Sequence, residues 1–344
     1  MSATGVPRET RILAITNQKG GVGKTTTAVN VSVALALQGK RVLFLDLDPQ
    51  GNASTGLGVP HPSGTPSTYE VLIAGRSLAE VAVPAPDVDG LLVVPATIDL
   101  AGAEIELVSV VARETRLKRA LGAFAEPLDY VLIDCPPSLG LLTINALVAA
   151  REVFIPIQCE YYALEGLSQL LRTVELVRAH LNPDLCVSTI LMTMYDARTR
   201  LADDVIAQVR EHFGDVVLPT VIPRNVRVSE APGYGQSVLS YDPASRGALA
   251  YAAAAAELAV RLPGVAPGGD QALRPASVAA QPVPPVPPAP PALARLPDPG
   301  VAGRDQRPTG QDDATAPLGW PLPSSGRALG LGWPRADGAV QERG

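Results

Sequence analysis

Short apolar runs alternate with longer stretches of helical spacing along the first 262 residues of the chain. An apolar run of about four to eight residues is typical of a buried strand, whereas longer stretches with apolar residues three or four apart are typical of helices. The runs predict strands at 11–16, 41–48, 90–96, 129–138, 152–158 and 186–195. The longer stretches include predicted helices at 26–38, 101–121 and 245–262.

This alternation predicts the fold class. Strands that alternate with helices are typical of an α/β fold, with a mainly parallel, twisted sheet covered by helices on both faces. Ligands in such sheets bind beyond the carboxyl ends of the strands. We therefore expect one edge of the sheet to collect the residues at which loops follow strands, namely Asn17, Asp46, Asp134 and Tyr195.

The composition changes sharply after Leu262. Half of the chain's 34 prolines lie beyond this residue, in runs such as PVPPVPPAPPALARLP. A segment of this composition buries too little apolar surface to offset its ordering entropy. We predict a folded domain at 1–262 and a disordered tail, rich in Pro, Ala and Gly, at 263–344. Both tryptophans stand in a repeated LGWP within the tail, which is either a chance repeat or a short docking motif.

Net charge and cysteine content narrow the function classes. A net charge of -6 disfavours a surface that binds nucleic acid all over, so any DNA contact requires a local basic face. No apolar stretch reaches the roughly 18 residues of a membrane span, and the opening MSATGVPRET lacks the pattern of a secretory signal. The three cysteines, in no paired pattern, fit a reducing compartment. We expect a cytoplasmic protein.

The stretch NQKGGVGKTT at 17–26 lies between a predicted strand and a predicted helix, where a phosphate-binding loop belongs. Its glycines allow backbone N–H groups to turn towards phosphate oxygens, and the helix that follows directs its positive end at the same charge. We expect Lys24 to bridge the β- and γ-phosphates of ATP and Thr25 to coordinate Mg²⁺. The residues predicted to line the phosphates are Lys19, Gly20, Gly21, Val22, Gly23, Lys24, Thr25 and Thr26.

Aspartates at strand ends supply the rest of a hydrolysis site. Asp134 ends the strand YVLID, where a Walker B acid holds magnesium through a water molecule. Asp46 and Asp48 follow another strand, and an aspartate there suits either ordering of the attacking water or the metal shell. The three histidines, His61, His180 and His212, are scattered along the chain, so we expect no catalysis by histidine. The predicted reaction is hydrolysis of the γ-phosphate by water, with catalysis by positioning and charge neutralisation.

The phosphate loop and the acid motifs belong to a series of seven sequence blocks between residues 10 and 262. The blocks are NQKGGVGKTTTAVN, VLFLDLDPQGNASTGLG, PATIDLAGAEIEL, YVLIDCPPSLGLLTINAL, YALEGLSQLL, TMYDARTRLADDV and IPRNVRVSEAPGYGQSV. In this order they resemble the ParA family of chromosome and plasmid partition ATPases, close to the Soj type. The family belongs to the deviant Walker A group, which also includes MinD, and the resemblance implies a fold like that of P-loop NTPases.

The resemblance also implies a nucleotide-sandwich homodimer that forms with ATP. Lys19, a lysine beyond those that the general loop pattern requires, would reach across to the phosphates bound by the partner subunit, and Gly20 would allow the close approach of the two subunits. Asp48 matches the acid associated with hydrolysis and would act with Lys19 and Lys24 as a catalytic residue. The residues expected around Mg²⁺ are Thr25, Asp48 and Asp134, and those expected on the adenine side of ATP are Pro223 and Asn225.

Non-specific binding of double-stranded DNA by the ATP-bound dimer is implied as well. Arginines that contact phosphates add salt-sensitive, sequence-independent affinity, and a dimer doubles their number. The matching positions are Arg198 and Arg227, with Arg200 and Arg224 as helpers. A ParB-like centromere-binding protein is expected to stimulate slow ATP hydrolysis, and the protein is expected on the nucleoid. The sequence leaves open whether the cargo is a chromosome, a plasmid or another cellular object.

Two other functions within the same group fit the sequence less well. A MinD-like ATPase that positions a cargo at a membrane would need a basic, amphipathic terminal helix with large apolar residues. The last predicted helix is rich in alanine, and the tail is broken by prolines, so we expect no membrane partner. An iron–sulfur carrier would need a C-x-x-C pair or cysteines that face each other across a dimer axis. No C-x-x-C occurs, and Cys135 stands inside the acid motif.

Overall fold

The computed structural model of the chain describes residues 10–160 and 165–261. The strands in this part are β1 Arg11–Ile15, β2 Val42–Asp46, β3 Val83–Pro84, β4 Leu91–Val94, β5 Tyr130–Asp134, β6 Glu152–Gln158, β7 Cys186–Tyr195 and β8 Val217–Pro223. They form one eight-stranded sheet in the order β3-β4-β2-β5-β1-β6-β7-β8. Neighbouring strands are parallel except for β3 and β4, which confirms the predicted fold class.

Helices connect the strands. The α-helices are α1 Lys24–Leu37, α2 Asn52–Gly56, α3 Leu78–Val81, α4 Leu100–Leu107, α5 Arg116–Gly122, α6 Leu141–Ala149, α7 Glu165–His180, α8 Arg200–Phe213, α9 Val226–Glu230, α10 Val238–Tyr241 and α11 Arg246–Val260. A π-helical turn lies at Glu70–Ala74, and 3-10 turns lie at Arg113–Thr115, Gly214–Val216 and Ala231–Tyr234. The predicted helices at 26–38 and 245–262 are confirmed as α1 and α11, with small differences at their ends.

The core consists of two layers of buried apolar side chains. Successive side chains of a strand point to opposite faces of the sheet. In β2, Leu43 and Leu45 join the layer that contains α6 and α7, whereas Val42 and Phe44 join the layer that contains α1 and α11. Strands buried on both faces have continuous apolar sequences, which is why the runs predicted them.

The carboxyl ends of the central strands meet at one edge of the sheet. Asp134 is the register partner of both Ile15 and Asp46, and Gln158 is the partner of Thr193. The loops after β1, β2, β5, β6 and β7 therefore leave the sheet on the same side. This confirms the predicted edge.

The helix predicted at 101–121 is wrong in extent. The structure contains two separate helices, α4 and α5, in this range. Between them Ala112 has a φ of 55°, in the left-handed region that a right-handed helix excludes. Val108 and Val111, which continue the apolar spacing in the sequence, are exposed on this connection. Apolar spacing alone therefore overstated the helix.

Two further differences concern strands. The strand predicted at 129–138 ends at Asp134, because the prolines that follow lack the N–H group that a ladder requires. The sequence pattern does not predict β8, which contains Pro219 and lies at the edge of the sheet. An edge strand tolerates proline because one side of its backbone is unpaired. The short β3 is not predicted either.

The described part of the chain ends at Arg261. Its guanidinium ties the end of α11 to the sheet, since it donates hydrogen bonds to the carbonyl oxygens of Ser188, Val216 and Val217. The tail predicted at 263–344, with its repeated LGWP, lies outside the described residues. Among the helices within 10–160 and 165–261, none combines the length and apolar character needed to cross a bilayer.

Candidate nucleotide-binding site

The loop from Asn17 to Gly23 connects the carboxyl end of β1 to the start of α1. Gly21 and Gly23 have φ values of 75° and 86°, which glycine adopts without strain. The first turn of α1 contains no acidic residue. Its unpaired N–H groups and positive dipole end are therefore available to an anion. The loop has the strand-to-helix context that phosphate binding requires.

Lys24 is a buried cation at the start of α1. Lys24 is only 7% exposed. Its ammonium donates a hydrogen bond of 3.3 Å to the carbonyl oxygen of Lys19. Burial lowers the pKa of Lys24, while the charges of Asp134 and Asp48 act in the opposite direction. A buried ammonium with a neutral acceptor gains strongly from an anionic ligand.

Asp46 and Asp134 are both fully buried, but their surroundings differ. Asp46 accepts hydrogen bonds from the backbone and hydroxyl of Ser54, and burial nevertheless raises its pKa to about 6. Neither carboxylate oxygen of Asp134 has a hydrogen-bond partner among the described residues. Burial, followed by the charge of Asp46, raises the pKa of Asp134 well above its usual value. The nearby hydroxyl of Thr25 favours the charged form of Asp134 and so acts against this rise in pKa, although it makes no hydrogen bond of normal geometry with Asp134.

The unpartnered carboxylate of Asp134 fits a hydrated magnesium ion. A buried carboxylate without donors needs a cation or water, and Mg²⁺ is usually held by one or two carboxylates, waters and phosphate oxygens. In the part of the chain that the structure describes, no group of three or more His, Cys, Asp or Glu side chains is arranged to hold a metal. A metal here would therefore take further ligands from a nucleotide. Thr25 and Asp48, which both act on the pKa of Asp134, are the other protein candidates.

A tight turn after β2 fixes the position of Asp48. Its backbone N–H donates to Asp46, its carboxylate accepts from the N–H of Gln50, and its carbonyl accepts from the N–H of Gly51. Gly51 has a φ of 62°, and a Cβ at this position would lie 2.6 Å from Nε2 of His61. The His61 ring thus packs directly under the turn. The partly exposed carboxylate of Asp48 is held at the edge of the site.

Lys19 makes an ion pair within its own chain. Its ammonium lies 3.0 Å from Oε2 of Glu160, and its backbone N–H donates to the side chain of Asn17. The other oxygen of Glu160 lies 3.5 Å from the guanidinium of Arg224 and also accepts from Gln158. The additional lysine therefore shares one carboxylate with two other donors.

A cavity of about 590 Å³ opens beside the phosphate loop. Pro223 and Asn225 line it together with Gly23 and Thr26. The side chain of Asn225 caps α9 by accepting the N–H of Arg227. The volume of the cavity suits a nucleoside-sized ligand. The lining residues that the sequence did not predict are Thr193, Met194, Ile222, Val226, Val228, Ser229, Pro232 and Tyr251.

The four arginines predicted to contact DNA lie after β7 and β8. Arg200 is exposed and has no ion pair among the described residues, while Arg198 and Arg224 also line the cavity. Each of the other three would have to exchange a carboxylate for a phosphate in order to bind DNA. The ion pairs are Arg198–Asp196 at 2.7 Å, Arg224–Glu160 at 3.5 Å, Arg227–Glu230 at 2.8 Å and Arg227–Asp242 at 3.4 Å.

Known proteins match the same part of the chain. The family described as an AAA domain, AAA_31, matches residues 10–187. The sporulation initiation inhibitor protein Soj of Bacillus subtilis (strain 168) is 58% identical over 249 residues, which cover 72% of this chain and 98% of the relative. The chromosome partitioning protein ParA of Myxococcus xanthus (strain DK1622) is 52% identical over 251 residues, which cover 73% of this chain and 88% of the relative.

A solved structure shares the fold. Cobyrinic acid a,c-diamide synthase from Mycobacterium smegmatis, crystallised with bound ADP and magnesium, is 42% identical, with a TM-score of 0.63. The match covers 73% of this chain and 94% of that chain. Because the similarity extends over nearly the whole length of these proteins, the resemblance in the sequence blocks is confirmed: the chain belongs to the ParA/Soj family of P-loop ATPases.

Proposed function

We propose that the chain is an ATP hydrolase that forms a sandwich homodimer when it binds ATP and Mg²⁺. The observation that carries this proposal is the meeting of a glycine loop, the buried ammonium of Lys24 and the unpartnered carboxylate of Asp134 at one sheet edge. The Mycobacterium smegmatis structure, which holds ADP and magnesium, supports it. Two nucleotides face to face repel each other unless cations intervene, and Lys19 is a partly exposed cation in the loop.

Hydrolysis at this site would depend on charge and positioning. Lys24 would neutralise charge on the β- and γ-phosphates, and Asp134 would hold Mg²⁺, which stabilises the charge of the phosphoryl oxygens when it is bound. Asp48 would orient the attacking water. A carboxylate is a weak general base, so we expect slow turnover by the protein alone.

The ATP-bound dimer is proposed to bind double-stranded DNA without sequence preference. Ion pairs at the protein surface are weak, and phosphate oxygens can take the place of their carboxylates. A dimer carries twice the number of arginines, so DNA affinity would follow the nucleotide. The arginines are Arg198, Arg200, Arg224 and Arg227.

Segregation of chromosome or plasmid DNA is the proposed biological role. Relatives named for chromosome partitioning and for inhibition of sporulation initiation support it. A ParB-like protein at centromere-like sites would stimulate hydrolysis and release the ATPase from DNA, and the protein would then be found on the nucleoid in the cytoplasm. Stimulation of ATP turnover by such a partner is the measurement that would separate this role from simple DNA coating.

Binding to random-sequence duplex DNA tests the proposal, with ATP, ADP or no nucleotide at two salt concentrations. We expect binding that requires ATP and weakens steeply with salt. Lys24→Ala is the control, since it should remove the response to nucleotide. If ATP-bound dimers form but bind no DNA at low salt, the DNA role is wrong. A MinD-like function at a membrane or protein scaffold would then be the better explanation.

A further inference from the structure

The carboxylate of Glu160, just beyond β6, pairs with two cations from distant loops. Its Oε2 lies 3.0 Å from Nζ of Lys19 in the phosphate loop. Its Oε1 lies 3.5 Å from Nη2 of Arg224, which follows β8, and accepts a hydrogen bond from Gln158. Glu160 therefore connects the loop expected to bind nucleotide with the surface expected to bind DNA.

We infer that Glu160 is a positioning residue that holds Lys19 back in the monomer and so sets the threshold for dimer formation. The inference rests on the proposed function, in which Lys19 reaches the phosphates of the partner subunit. The ammonium must leave Glu160 before it contacts those phosphates closely. Each dimer that forms therefore loses this ion pair in both subunits.

The Lys19–Glu160 ion pair is partly exposed, which limits how far its loss can shift the dimer dissociation constant. The side chains of Lys19 and Glu160 are 32% and 43% exposed, and pairs of this kind shift an equilibrium by at most about fivefold. Two pairs are lost for each dimer, so the shift in the dimer dissociation constant is the square of the single effect. Exposed pairs change an equilibrium by about 1.4- to 5-fold, so we expect a shift of about 2- to 25-fold when Glu160 loses its charge.

Loss of Arg224 and loss of the charge of Glu160 should have opposite effects on dimer formation. Arg224 takes up part of the charge of Glu160 and thereby weakens its attraction for Lys19. Arg224→Ala should therefore strengthen the Lys19–Glu160 pair and make dimer formation harder. Glu160→Gln keeps the size and a hydrogen-bond acceptor but removes the charge, so it should make dimer formation easier. A change that merely loosened the local structure would not produce effects of opposite sign.

Sedimentation of the full-length protein at saturating non-hydrolysable ATP analogue measures the dimer dissociation constant. We expect Glu160→Gln to lower it by about 2- to 25-fold and Arg224→Ala to raise it. Glu160→Asp, which keeps the charge, should remain nearer to the wild type than Glu160→Gln. Glu211→Gln, at the far end of α8, removes the same charge near the opposite sheet edge and should have no effect. ADP affinity, measured by calorimetry, should be unchanged by Glu160→Gln, because binding of ADP to the monomer does not require release of Lys19.

The outcomes separate this inference from the proposed function. A wild-type chain that stays monomeric with the ATP analogue overturns the sandwich dimer itself. If the wild type forms dimers and Glu160→Gln leaves the dissociation constant unchanged or raises it, the role of Glu160 is wrong and the dimer stands. Shifts of equal sign in Glu160→Gln and Arg224→Ala would also contradict the inference.

Discussion

Asp46 and Asp134 lie side by side, in register, at the ends of two adjacent parallel strands, and both are fully buried. Two carboxylates so close together cannot both ionise easily, and burial adds to the cost. The hydrogen bonds from Ser54 stabilise the charge of Asp46, whereas Asp134 has no such partner among the described residues. The unfavourable charge is therefore concentrated on Asp134.

Asp134→Asn should stabilise the nucleotide-free protein at neutral and higher pH. The folded pKa of Asp134 is raised above its unfolded value, so the wild type loses stability as pH rises through that pKa. Asparagine does not ionise, and its advantage should vanish at low pH, where Asp134 is protonated. We expect a gain of about 1–3 kcal/mol in the free energy of unfolding, which corresponds to roughly 2–4 °C per kcal/mol for a domain of this size. Thermal unfolding across pH measures it.

The same variant should lose the thermal stabilisation that ATP and Mg²⁺ give to the wild type. Asp129→Asn is a matched control at the other end of the strand, since Asp129 is partly exposed and lies 3.8 Å from Arg41. The control should respond to nucleotide like the wild type. A less stable Asp134→Asn, or one that still responds fully to ATP and Mg²⁺, would contradict the role given to Asp134.

The central strands could be predicted because each is buried on both faces, as β2 is throughout its length. Other boundaries depend on contacts that a single sequence does not contain. The left-handed Ala112 divides one helical pattern into two helices. Pro219 argues against a strand unless it is known that β8 lies at the edge of the sheet. Position in the sheet is a tertiary property, so the sequence pattern alone does not reveal it.

The candidate site also contains some features that the sequence predicts and others that depend on tertiary contacts. The glycine loop and the acids at strand ends could be predicted because each motif is contiguous in sequence. The pairing of Lys19 with Glu160 could not, because it joins two loops far apart in the chain. Met194, which lines the cavity with a φ of 54°, also gives no local signal. Such residues are found only once the strand order is known.

Asp48→Ala should trap ATP-bound dimers on DNA. Asp48 is held by its backbone in the turn after β2, and its carboxylate is partly exposed. Its removal should leave the phosphate contacts of Lys24 intact while the attacking water loses its orientation. ATP turnover should fall by about 100-fold or more, a typical loss for a positioned carboxylate. Turnover is measured as phosphate release, and DNA retention by filter binding; rapid turnover in this variant would refute the role of Asp48.

Arg227→Ala should keep ATP-driven dimer formation and weaken DNA binding. Arg227 is exposed and pairs with Glu230 and Asp242, partners that a phosphate can replace. DNA affinity falls as salt rises, and loss of one phosphate contact in each subunit should make this fall less steep, by about two in the slope of log affinity against log salt. Arg119→Ala, which removes an exposed arginine from α5, is the control with the same charge change. Unchanged DNA binding in Arg227→Ala would move the basic face elsewhere.

A chain that ends at residue 262 should fold and respond to ATP as the full-length chain does. The boundary follows from contacts at the end of α11, because the buried guanidinium of Arg11 donates to the carbonyl oxygen of Leu258. Arg261 closes the same end by donating to the carbonyl oxygens of Ser188, Val216 and Val217. We therefore propose 1–262 as the ATPase domain, and we expect its melting temperature to match that of the full-length protein.

Removal of Arg261 provides the contrast. A chain that ends at Val260 leaves three carbonyl oxygens without their charged donor, so it should lose about 2–3 kcal/mol in the free energy of unfolding. Thermal unfolding and sedimentation with an ATP analogue compare the two truncations with the full-length chain. If 1–262 folds but no longer forms dimers, the tail takes part in the ATP response. If both truncations behave alike, the contacts of Arg261 do not set the boundary of the folded domain.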